Sequence, residues 1–124
     1  MALRVRPHAD STEARSTLLH LAAVTHQLDR VRGNGLPEAD YNEGLFELDH
    51  SIITSLEADG SGVTVIVETL AGKRTYYAYV TSAAHAEAAL EHLHGHFPEH
   101  QLSLTTRPDK AWGLYGEYKR LFPW

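Results

Sequence analysis

Apolar positions along this chain change their period several times, and each change marks an element. Tyr41, Leu45, Leu48, Ile52 and Leu56 recur at spacings of four, three, four and four, which is one buried stripe of a helix. Pro37 suits the first turn of that helix, where a missing N–H costs nothing, and Glu38 and Asp40 follow at the positive end of its dipole. The pattern therefore predicts a helix over 37–59, opened by the Gly33–Pro37 break and closed by Gly60 in a left-handed cap.

After residue 60 the period shortens. Val63–Leu70 is β-branched almost throughout, Ala71-Gly72-Lys73 reads as a turn, and Arg74–Val80 is an aromatic strand, so the two runs predict a hairpin. Helical spacing returns from Ser82 to His96, with Ala86, Ala89, Leu90, Leu93 and Phe97 on the inner face and Gly95 and Pro98 ending it. Gln101–Thr106 alternates Leu102 and Leu104 inward. A last helix is expected from about Pro108-Asp109 to Pro123, with Trp112, Tyr115, Leu121 and Phe122 as its apolar side.

Ser16–Leu28 fits either a helix or a strand by period alone. Topology decides. The remaining elements read α-β-β-α-β-α, and one strand in front completes βαββαβ with an appended helix. The expected fold is thus α+β, a ferredoxin-like antiparallel sheet with a strand at about 17–27 and an extra C-terminal helix. Residues 1–124 form a single domain in this reading, with 1–14 either an edge strand at Ala2–Arg6 or a loose arm.

Composition narrows the function classes. The chain has no cysteine, so disulfides and thiolate zinc sites are excluded and a reducing, cytoplasmic setting is expected. No apolar run approaches the roughly 20 residues needed to span a bilayer, and no secretory h-region follows the N-terminal arginines. Residues 31–60 hold seven acids and one base, a local charge of −6 on a chain of net charge −5. Without a basic stripe, nucleic acid is an improbable ligand. A basic protein surface is the natural partner for such a segment, and a merely solubilising acidic face is the competing reading.

Nine histidines are the one anomaly of composition, and His92, His94, His96 and His100 fall within nine residues. His92 and His96 are four apart and share a helix face, and His100 could close a metal site. The helix breaks at Gly95 and Pro98, however, and no H-E-x-x-H arrangement is present. Asp49-His50 reads as a solvated helix face, because adjacent helical positions diverge. No cofactor and no catalytic constellation is expected. Tyr77 and Tyr79 share one face of the aromatic strand. That row is either an outward, partner-binding surface or a row covered by the last helix through Trp112 and Tyr115.

Read in order, Gly35-Leu36-Pro37, Glu47-Leu48-Asp49, Val63–Leu70, Arg74-Thr75-Tyr76-Tyr77-Ala78-Tyr79, and Asp109 with Trp112 and Tyr115 resemble the bacterial domain-of-unknown-function 695 family over about residues 17–124. The resemblance implies a ferredoxin-like fold and distant kinship with the regulator of ribonuclease activity B, an inhibitor that binds ribonuclease E. It supplies no catalytic residues. Ala78, where that pattern has a bulky aromatic, and the histidine-rich second helix depart from it. The expected function is a non-catalytic inhibitor or immunity-type protein, monomer or homodimer. It would bind an enzyme or toxin through Glu38, Asp40, Glu43, Glu47, Tyr77 and Tyr79. The rival is a metal- or histidine-dependent enzyme built on 92–100, and a self-associating domain is a third reading.

Overall fold

The computed structural model describes residues 2–28 and 45–122. Its elements are β1 (Ala2–Val5), α1 (Thr12–Thr17), β2 (His20–Gln27), α2 (Phe46–Leu56), a short 3-10 turn (Ala58–Gly60), β3 (Gly62–Leu70), β4 (Lys73–Val80), α3 (Ala83–His96), β5 (Gln101–Pro108) and α4 (Gly113–Leu121). The five strands make one antiparallel sheet in the order β1-β3-β4-β2-β5. The class is mixed α+β, as the alternating periods predict.

Strand pleating sends alternate side chains to opposite faces, and both faces of this sheet are used. On the first face, Ala22 and Val24 of β2, Tyr76, Ala78 and Val80 of β4 and Leu102 of β5 pack beneath α2 and α3. Leu48, Ile52 and Leu56 supply the α2 stripe, and each is 2% exposed or less. Burial of such a side chain stabilises by about 1.5–3 kcal/mol. On the second face, Leu21, Val65, Ile66 and Tyr79 pack with Trp112, Tyr115 and Leu18.

A bulge between Thr64 and Ile66 shifts the register of β3 against β4. Beside it, the Thr64 N–H donates to the Glu57 carboxylate at 2.8 Å. Gly62 is held to glycine by close approach, because a Cβ there would lie 2.2 Å from the Leu56 carbonyl oxygen.

Several expectations are corrected. The N-terminal arm takes the edge-strand alternative at Ala2–Val5, but it is followed by α1, a helix missed because Thr12–Thr17 buries no residue and so has no apolar stripe. The strand expected at 17–27 begins at His20. The strand expected at 101–106 extends to Pro108, whose missing N–H is tolerated at the end of an edge strand. The last helix consequently starts at Gly113 rather than near Pro108. Its face is built from Trp112, Tyr115 and Tyr118, while Leu121 is 59% exposed. Of the helix expected over 37–59, the structure shows α2 at Phe46–Leu56 with Leu45 as its N-cap, and residues 37–44 lie outside the described residues.

Candidate functional site

Three groups from three elements meet on the first face near the start of α2. Asp49 sits in the first turn of α2, Tyr76 on the central strand β4 and Arg4 on the edge strand β1. The Tyr76 hydroxyl donates to Asp49 Oδ1 at 2.8 Å. Arg4 pairs with the same carboxylate through both terminal nitrogens, Nη1 lying 3.3 Å from Oδ2 and Nη2 close to Oδ1. Burial pushes the Tyr76 phenol well above its ordinary value of 10.0, and the neighbouring Asp49 charge and hydrogen bond add to the shift. The carboxylate thus holds three donors, and the phenol is held protonated.

Asp49 and Arg4 line a pocket of about 270 Å³ together with Arg74, Thr69, Leu45 and Phe46. Arg74 donates from Nε to Thr69 Oγ1 at 3.0 Å, which fixes the guanidinium along the wall. At the rim, Phe46 is 76% exposed, and Glu47 beside it is exposed too. Leu48, next along, is buried at 2%. Helical geometry produces this outcome, because the face that carries Leu48 and Ile52 inward turns Phe46 and Glu47 out.

The expected site residues separate. Glu38, Asp40 and Glu43 lie outside the described residues, and Glu47 is exposed on α2 next to Phe46. Tyr77 is half-buried against Tyr118, ring centroids 5.8 Å apart, and Tyr118 donates to Glu68 at 2.9 Å. Tyr79 is fully buried. Its hydroxyl donates to Asp109 Oδ2 at 2.7 Å, and its ring stacks on Trp112, so the covered-row alternative describes this residue. Asp49 is not the solvated side chain that adjacency to His50 suggested. Its side chain is 15% exposed and tied to β1 and β4.

The four clustered imidazoles do not converge. His92 and His96 lie side by side on α3 with ring centroids 4.2 Å apart. His94 Nε2 is 3.1 Å from the Leu102 carbonyl oxygen, and His100 Nδ1 is 3.2 Å from Nε2 of His26, which is buried on β2. His100 therefore joins His26 rather than closing a site with His92 and His96. Among the described residues, no group of three or more histidine, aspartate or glutamate side chains is placed to hold a metal ion.

Sequence reading missed Arg4, Phe46 and His26. Phe46 carries a usable signal: it is a large aromatic placed off the Leu45-Leu48-Ile52 stripe, and such a residue faces outward. Arg4 and His26 carry none, since their partners lie 45 and 74 residues away.

Among the described residues, no helix is long and apolar enough to cross a membrane. A family model described as a family of unknown function, DUF695, matches residues 1–119. No curated protein and no solved structure matches the chain.

Proposed function

We propose, from the premise that the chain belongs to the DUF695 family of unknown function, that it is a non-catalytic binding protein docking a partner protein at the N-terminal end of α2. The observation that carries this reading is Phe46, 76% exposed at the mouth of a pocket walled by Arg4 and Arg74. An aromatic side chain held beside a concavity is the usual anchor of a protein interface. Exposed Glu47 adjoins it, and Glu38, Asp40 and Glu43 precede it in the sequence. The chemistry that complements this stretch is a basic protein surface, which acidic side chains attract from solution.

The partner class we infer is an enzyme or toxin that the bound chain neutralises, in the manner of an inhibitor or immunity protein inside the cell. We also read the fold as ferredoxin-like with one added edge strand. The antiparallel order β3-β4-β2-β5, with α2 and α3 on one face and β1 appended beside β3, supports that reading.

The test is capture of partners on the immobilised chain, followed by kinetics with the protein captured. Phe46→Ala is expected to weaken binding at least tenfold, chiefly through faster dissociation. The Glu43→Lys and Glu47→Lys pair is expected to slow association and flatten its salt dependence. Unchanged binding in all three variants would place the interface elsewhere.

A further inference from the structure

We propose that His92 and His96 form a two-imidazole chelate for one borderline divalent transition-metal cation, of the zinc, nickel or copper class, on the last turn of α3. Both side chains are exposed and one helical turn apart, and their rings lie side by side at 4.2 Å. His96 Nδ1 sits 3.0 Å from the His92 carbonyl oxygen. A carbonyl only accepts, so Nδ1 carries the hydrogen and Nε2 keeps its lone pair. This is the arrangement by which a backbone carbonyl fixes the tautomer of a metal-binding histidine. The helix ends at His96, and the partial negative charge of its last carbonyls favours a cation there.

Two nitrogen donors select the metal class. Imidazole suits zinc, nickel and copper, whereas magnesium and calcium require oxygen ligands. The neighbouring imidazoles are engaged elsewhere, His94 toward the Leu102 carbonyl and His100 toward His26. With two protein donors, the ion keeps open positions for water or for a side chain of a bound partner.

The test is calorimetric titration of the untagged full chain, stripped of metal, with copper, nickel, zinc and magnesium chlorides in turn. One transition-metal ion per chain is expected, copper binding more tightly than nickel or zinc and magnesium not at all. His92→Ala and His96→Ala, both at exposed positions, should each weaken binding at least tenfold. His50→Ala, an exposed histidine on α2, should leave it unchanged. Gly95→Ala meets no atom within 4 Å and stiffens the turn between the two ligands, so binding should hold or tighten. Binding of one ion per chain that survives the His92→Ala, His96→Ala double variant would overturn the proposal. Absence of binding by all three transition metals to a chain whose circular dichroism shows intact helix would overturn it equally.

Discussion

Tyr79 and Trp112 stack face to face, their ring centroids 4.0 Å apart and their planes 5° from parallel. The stack pins the loop between β5 and α4 to the centre of the sheet. Trp112 holds a left-handed backbone, φ 55° and ψ 43°, which a bulky residue adopts only under constraint. Its indole N–H donates to the Leu18 carbonyl at 2.9 Å, and Tyr115 packs edge-on at 5.8 Å. Trp112→Ala is expected to cost about 3–5 kcal/mol in chemical denaturation. Tyr79→Phe keeps the stack but loses two hydrogen bonds, the one donated to Asp109 and the one accepted from the Tyr115 N–H at 3.3 Å, so about 1–3 kcal/mol is expected.

Asp109 organises the same corner. Its carboxylate accepts from the Gly113 and Leu114 N–H groups at 2.9 and 3.2 Å and from Tyr79. Burial pushes its pKa up. The hydrogen bonds from Gly113, Tyr79 and Leu114, with Arg107 nearby, outweigh burial and hold it below the ordinary 3.8. A depressed folded pKa contributes stability above the unfolded value and loses it as pH falls through the folded value. Asp109→Asn should therefore be less stable than the parent at neutral pH. The difference should shrink as pH drops below about 3.8, as measured by denaturation at a series of pH values.

Three phenols resist ionisation. Burial raises Tyr76, Tyr79 and Tyr118 well above 10.0, helped by hydrogen bonds to Asp49, Asp109 and Glu68 respectively. A raised folded pKa on a phenol contributes stability below pH 10.0 and loses it as pH climbs toward the folded value. Spectrophotometric titration should show at least three of the six tyrosines ionising only as the chain unfolds in alkali. Smooth titration of all six near their ordinary value in folded protein would contradict the packing.

Asp49 separates a buried bond from an exposed one. Asp49→Ala leaves the Tyr76 hydroxyl, in a residue 1% exposed, without its acceptor and should cost about 1–3 kcal/mol. Arg4→Ala removes an ion pair whose arginine side chain is 57% exposed, so less than about 1 kcal/mol is expected. Denaturant midpoints of the two variants check the ranking.

Much of this molecule is legible in its periods. The Leu45–Leu56 stripe, the Val63–Val80 hairpin and the Ala86-Ala89-Leu93 face are buried where spacing places them. Tyr79 shows the limit. Alternation fixes that it shares a face with Tyr77, but which part of that face is covered depends on where α4 lands, and the Asp109 cap and the left-handed Trp112 set that start. Asp49 shows the same limit from the other side. Its local pattern is that of a solvated helix position, and only the arrival of β1 and β4 turns it into a partly buried acceptor. The histidine cluster dissolves for a related reason. His100 lies beyond the helix end, at the start of β5, whose pairing with β2 brings it to His26.

The binding proposal stands or falls on Phe46. A photo-crosslinking aromatic placed at position 46, with a second variant carrying it at exposed Leu70 as a control, tests it in the native cell extract. The expected result is one covalent adduct with a partner protein at position 46, none at 70, and loss of the adduct when Glu43 and Glu47 are changed to lysine. Adducts of equal yield at both positions, or none at 46 in folded protein, would contradict a docking face at the start of α2.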